Sequence, residues 1–172
     1  MAAVRRVLSG LVKISRTQAI QLSVRAAAAA ALAFWIAELL GATFAIYALV
    51  GAVIVTDLSP ATSRRLAVQR LFGTLIGAVA GALLLNVLPN GPVALGLAIC
   101  GSMLVAFGLG FELSGARVAG YVAAIVMFAH RGEPWLYAFE RAWETVVGIV
   151  SALLIGLVPL WIRDEGKGAD GR

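Results

Sequence analysis

A chain of 172 residues that is 61% hydrophobic and only 13% charged lies far from soluble domains, where about 25% of residues are charged and about 45–50% apolar. With a mean hydropathy of +0.94, it carries more apolar surface than a water-soluble globule of this length can hide, so it reads as an integral membrane protein. The net charge of +5 comes from fourteen Lys and Arg that stand mainly between apolar runs; that placement suits anionic headgroups and topology and excludes a nucleic-acid partner.

Residues 1–16 form the first element. Val4, Val7, Leu8 and Leu11 recur at helical spacing against Arg5, Arg6, Ser9 and Lys13, the pattern of an amphipathic segment lying in the cytoplasmic interface. Lys13 and Arg16 interrupt any signal-peptide core. Residues 17–162 then divide into six apolar stretches, and a membrane core needs about 20 apolar residues per helix. The stretches are Ala19–Leu40 (stopped by Gly41), Thr43–Thr56 (ended by DLSPATSRR), Leu66–Leu88 (ended by PNGP), Val93–Phe111, Ala116–Ala129, and Trp135–Ile162 after HRGEP. Residues 163–172, RDEGKGADGR, are a short polar cytoplasmic tail. The predicted fold is all-α, a polytopic bundle of six transmembrane helices.

Charge sets its orientation. With the N-terminus inside, the inner segments hold Arg5, Arg6, Lys13, Arg16, Arg64, Arg65, Arg117, Arg163, Lys167 and Arg172, and the outer loops hold only Arg131. Positive-inside asymmetry therefore gives N-in, C-in. Three helices per half invert the second half relative to the first. RLFGTLIGAVAGALLL opens the third helix, and RAWETVVGIVSALLIG repeats its skeleton in the sixth. This predicts two inverted three-helix repeats, an arrangement used to alternate access to a central site. The second and fifth predicted helices, the middle members of each half, are both too short to cross comfortably.

Gly73, Gly77 and Gly81 stack at intervals of four on the third helix, and Gly148, Ala152 and Gly156 do so on the sixth. Small residues at that spacing let helices approach closely, within or between chains. Cys100 reads as a small buried packing residue; alone, it excludes an intrachain disulfide and offers no metal set.

Ionisable groups inside a membrane are paired or functional. Arg25, in the first helix, can snorkel to the inner surface or pair with Asp57 at the inner end of the second. Arg70 opens the third helix, as a topology anchor or a binding group. In the sixth, Glu140, Arg141 and Glu144 lie within the first turns, with Glu144 about one turn beyond the other two. Two carboxylates in an apolar setting resist joint ionisation while the arginine favours it; Glu140 is expected to form the fixed pair and Glu144 to carry a proton. Glu38 and Glu112 lie near helix ends, His130 in an outer loop. Trp35, Trp135 and Trp161 read as interfacial anchors, and Trp143, with Phe72 at the matching position, as packing or as a platform for a flat substrate. No P-loop, H-E-x-x-H or G-x-S-x-G occurs and the single histidine leaves no catalytic triad, so neither an enzyme nor a cofactor or metal is expected.

The series VRAAAAAALAFWIAELLG, YALVGAVIVTDLSPATSRRLAVQRLFGTLIGAVAGALL and AFERAWETVVGIVSALLIG resembles the fusaric-acid-resistance-like and aromatic acid exporter membrane proteins, over residues 17–162. The resemblance implies a bacterial inner-membrane exporter of aromatic carboxylates or related toxic compounds, driven by the proton gradient. By matching position it places Arg25, Asp57, Arg70, Gly73, Thr74 and Gly77 in the first-half pattern, and Arg141, Glu144, Thr145 and Gly148 in the second. It implies substrate binding by Arg25, Arg70, Thr74, Arg141 and Thr145, and proton coupling by Asp57 and Glu144. Larger members carry soluble regions or a second membrane block, which this chain lacks; a homo-oligomer or a partner efflux subunit is therefore expected beside the lipid bilayer and an organic anion. A non-transporting scaffold or accessory subunit is the alternative.

Overall fold

The structure is a computed structural model that describes residues 15–89, 91–129 and 132–158. The expected interfacial segment and the polar tail lie outside the described residues almost entirely, as do His130, Arg131 and Trp161. Six α-helices and no strand occur among the described residues: α1 Arg16–Leu39, α2 Ala45–Val55, α3 Pro60–Leu85, α4 Pro92–Gly108, α5 Leu113–Ala129 and α6 Pro134–Gly156.

Local chemistry sets the ends. Ser15 caps α1 in a reciprocal box, its Oγ accepting from Gln18 N–H at 3.2 Å and its own N–H donating to Gln18 Oε1 at 3.1 Å. Prolines sit in the first turn of α3, α4 and α6, where the missing N–H costs nothing and the ring pre-sets φ. Both α1 and α4 end on a glycine in the left-handed region, Gly41 at φ +70° and Gly110 at φ +82°. Each closes a Schellman motif: Ala42 N–H donates to Ala37 O and Gly41 N–H to Glu38 O, and Phe111 N–H donates to Ala106 O and Gly110 N–H to Phe107 O. The first helices of the two halves are therefore terminated by the same device.

Three predicted boundaries need correction, and one is the sixth helix, which ends at Gly156 and not Ile162. Helix α3 starts at Pro60, not Leu66, so Arg64 and Arg65 are helical and Arg70 lies ten residues in, about 15 Å from the start at the usual rise. Helix α5 starts at Leu113, not Ala116, and has 17 residues, the same as α4; α2 and α5 are both among the shorter apolar helices, and α2, with 11 residues, is the shorter of the two. In α2 the backbone before Ala45 is irregular where α5 continues its helix.

The neighbour relations of the halves match. In the centre α3 packs on α6. Around this pair α2 packs on α6 as α5 packs on α3, α1 packs on α2 as α4 packs on α5, and α1 touches α6 as α4 touches α3. Exchanging the halves leaves this pattern unchanged. The first helices also bury matching stripes at intervals of four, Arg25, Ala29, Ala33 and Ala37 in α1 and Ala94, Ala98, Ser102 and Ala106 in α4.

The interior is built mainly from small side chains. Ala29, Ala33, Ala48, Ala52 and Ala152 fill the α1–α2–α6 core, and Ala78 and Ala82 meet Val118, Val122 and Val126 between α3 and α5. Large apolar groups such as Trp35, Phe72, Phe107, Phe128, Phe139 and Trp143 point outward. Water disfavours an apolar exterior of this extent, whereas lipid accommodates it. Helices α1 and α3 are long and apolar enough to cross a membrane; α6 has the length, at 23 residues, but carries Glu140, Arg141 and Glu144. Cys100 is exposed rather than buried, because α4 turns its Ala94, Ala98 and Ser102 face inward.

The candidate site at the crossing of the third and sixth helices

The glycine stripe of α3 faces α5 within the chain. A Cβ on Gly73 would fall 2.6 Å from Gly115 O, and one on Gly81 2.7 Å from Ala123 O; Gly77 is equally pressed against Ala119 O. On α6 only Gly148 is so placed, against Ala48 O and Ala52 N of α2. Ala152 is buried in the same α1–α2 core. Gly156 departs from the expectation of close packing, since a Cβ there meets nothing within 4 Å. Because Gly77 meets Ala119 as Gly148 meets Ala48, the two glycine contacts are counterparts at one sequence interval.

At the crossing itself, Thr145 Oγ1 donates to Thr74 Oγ1 at 3.4 Å, and the two residues are 71 positions apart. Both are buried, at 1% and 2% exposure. Arg70 and Arg141 stand at the same interval, each one helical turn before its threonine, and both are buried too. The sequence pattern that pairs these four residues is thus brought to one place.

The two arginines have different surroundings. Arg141 pairs with Glu144, three residues on along the same helix face, and its guanidinium lies 3.5 Å from the Tyr47 ring centroid, 4.7 Å from Tyr137 and 4.9 Å from Phe44. Negative ring faces stabilise a cation that has left water. Glu144 Oε1 also accepts from Phe44 N–H at 2.9 Å, and Glu140 Oε1 accepts from Thr43 Oγ1 at 2.8 Å. The expected pairing is therefore corrected: Glu144, not Glu140, is Arg141's ion-pair partner. Both carboxylates tie α6 to the irregular backbone that precedes α2. The counterpart tie is Gln69 Oε1 accepting from Gly115 N–H at 3.0 Å, and Gly115 stands at the same interval from Phe44. Sequence reading passed over Gln69, Phe44 and Tyr47; a buried glutamine in an apolar helix was the available signal.

Arg70 lies 5.3 Å from the Tyr121 ring centroid. Among the described residues its Nε and Nη1 meet no hydrogen-bond acceptor, and no carboxylate pairs with it.

The peripheral residues are placed elsewhere. Arg25 does not pair with Asp57; its Nη2 donates to Gly156 O at 3.1 Å and Val158 O at 2.6 Å, satisfying carbonyls at the end of α6. Asp57 Oδ1 accepts from Ser59 N–H at 2.9 Å and its own N–H donates to Ser63 Oγ, so it shapes the turn into α3. Glu112 pairs with Arg65 at the surface. Phe72 stacks on Phe111 at 5.4 Å and Trp143 faces outward, so neither lines the crossing.

The sequence model of the fusaric acid resistance protein-like family matches residues 32–155. The chain belongs to this family. The match spans α2–α5 whole together with the C-terminal third of α1 and nearly all of α6, so a fusaric-acid-resistance-like protein is here seen to place its repeated arginine and threonine at the helix crossing. The family is one of membrane transport and resistance proteins, and the apolar helices of this member agree with that class. No curated protein and no solved structure matches the chain. Among the described residues no cluster of metal-ligating side chains occurs.

Proposed function

We propose that the protein is a multi-pass carrier of the bacterial inner membrane, with its termini inside, in which two inverted three-helix repeats export small organic anions, aromatic carboxylates among them, in exchange for protons. The observation that carries this reading is the meeting of Thr74 and Thr145 with a buried arginine one turn to either side. A site on the line between two like halves is where exchange of their conformations alternates access. Buried ionisable groups in such a helix packet are costly and mark ion or substrate paths.

In this mechanism Glu144 carries the coupling proton. Protonation removes its charge, releases Arg141 from the ion pair and weakens the tie to Phe44 N–H, so α6 can shift against α2. Asp57 is held in a turn and Arg25 on helix-end carbonyls, so both are assigned to the scaffold around the site. Assembly with a second copy or a partner efflux subunit belongs to the same reading, since the apolar exterior accepts protein or lipid. The scaffold alternative loses its main support, because Gly73, Gly77, Gly81 and Gly148 are used inside the chain.

The test is flux of labelled aromatic carboxylates in proteoliposomes with an imposed pH gradient, for the wild type, Arg141→Gln and Glu144→Gln. Gradient-driven flux that either substitution abolishes supports the carrier; no flux of any panel member from well-folded protein refutes it for these substrates.

A further inference from the structure

The repeat is preserved in shape but broken in charge. Arg141 has its carboxylate at position 144. The counterpart position in the first half is Gly73, where a Cβ would already fall 2.6 Å from Gly115 O and 2.7 Å from Val118 Cβ. No side chain fits there, so packing against α5 forbids the first half the counter-ion that the second half possesses. Arg70 is nevertheless 2% exposed, with Nε and Nη1 unmatched among the described residues and one aromatic ring for company. A guanidinium is a cation at neutral pH. A buried charge persists when something neutralises it and meets its donors.

We propose that Arg70 is a binding site for a single monovalent anion, taken at its guanidinium beside the ring of Tyr121. The charge fixes the valence: one positive group is uncompensated, so a monoanion leaves the site neutral and a dianion leaves a buried negative charge. The unmatched Nε–H and the hydrogens of Nη1 ask for oxygen or halide acceptors. Tyr121, 36% exposed, has its ring 5.3 Å from the guanidinium and would offer a flat apolar wall to a ring attached to the anion. The Thr74 hydroxyl stands one turn further along α3. Arg141 likewise has its Nε and Nη1 without an acceptor among the described residues, but Glu144 already balances its charge, so charge and not the count of free donors singles out Arg70. This assignment deepens the carrier reading and rests on it for the organic nature of the ligand, though not for its charge.

The experiment uses the full chain in nanodiscs of zwitterionic lipid, with thermal unfolding followed while benzoate, chloride, phthalate or tetramethylammonium is added to a gluconate buffer. Benzoate is expected to raise the midpoint saturably, and tetramethylammonium to leave it unchanged. Arg70→Gln should lose the benzoate response by at least ten-fold in apparent affinity while unfolding no earlier than wild type in gluconate. Tyr121→Glu, at a partly exposed position, supplies an internal counter-ion and should abolish the response with the fold intact. Equal saturation by chloride that competes with benzoate assigns the site to an inorganic anion and removes its organic ligand. An anionic-lipid arm that alone shifts the midpoint assigns it to a headgroup. A benzoate response that survives both Arg70→Gln and Tyr121→Glu, or tighter binding of the dianion phthalate, overturns the proposal. Benzoate binding at Arg70 without any flux would refute the carrier alone, and flux indifferent to Arg70→Gln would refute this site alone.

Discussion

Thr145 and Thr74 meet hydroxyl to hydroxyl at 3.4 Å from opposite halves of the chain. Residues related by a two-fold exchange touch one another only on its axis, so in the proposed inverted-repeat arrangement this contact would mark that line. In a Cys100→Ser background, Thr74→Cys combined with Thr145→Cys should form an intrachain disulfide under mild oxidant, because facing side chains at such a distance bring their Cβ atoms near the range of about 3.5–4.5 Å that a bridge requires. Mass spectrometry of peptides detects the bridge, and oxidation should lower flux at least ten-fold with recovery on reduction. A bridge that forms without affecting flux would place the moving parts elsewhere.

The glycines make a contrasting pair of predictions. Gly77→Ala and Gly148→Ala push a methyl into the backbone of the facing helix, and overpacking of this kind costs about 1–3 kcal/mol. Gly96 and Gly101 in α4 are helical with nothing within 4 Å of an added Cβ. There alanine should stabilise by up to about 1 kcal/mol through helix propensity. Unfolding in detergent by a graded denaturant separates the two groups by sign.

Arg141 and Glu144 should behave as a unit. Removing one partner strands the other, which costs about 3–5 kcal/mol in a buried setting. Arg141→Met with Glu144→Met together should cost less than either single change, and a double-mutant cycle on unfolding free energy reads the coupling directly. Additive losses would mean that the pair contributes nothing jointly.

Gly41 and Gly110 should respond alike to substitution. Each holds a positive φ at the end of its helix with open space around it, so alanine meets strain in the backbone and no clash. The penalty expected is about 1–2 kcal/mol, smaller for asparagine, which tolerates the left-handed region better. Equal penalties at the two sites, read by unfolding, would support the likeness of the halves.

Much of this arrangement was legible beforehand in the spacing of side chains. Arginine, threonine and glycine recur in RLFGTLIG and RAWETVVG at one interval, and all six residues end up at the crossing or on the helix faces beside it. Gly41 as a stop and the six helices followed from left-handed glycine and apolar run length. What spacing conceals is direction and partner. Glu140 and Glu144 are both neighbours of Arg141 along a helix, and only the position of α2 decides that Glu140 turns to Thr43 while Glu144 stays with the arginine. Arg25 and Asp57 carry opposite charges at the same end of adjacent helices, yet the open carbonyls of α6 lie closer to the guanidinium. The start of α3 was misjudged because Arg64 and Arg65 look like a loop, although Pro60 in a first turn is a ready helix start.

The unequal charge of the two halves has an electrical consequence. Arg141 and Glu144 cancel, Arg70 does not, and one net positive charge is therefore lodged deep in α3. Across a bilayer, each elementary charge carried through 100 mV exchanges about 2.3 kcal/mol with the field. A step that displaces Arg70 along the membrane normal is then driven or opposed by the resting potential when the protein is empty, and becomes nearly indifferent to it once a monoanion rides along. In the proposed carrier, voltage would thereby set which way the empty protein faces, and the anion would release it from that bias.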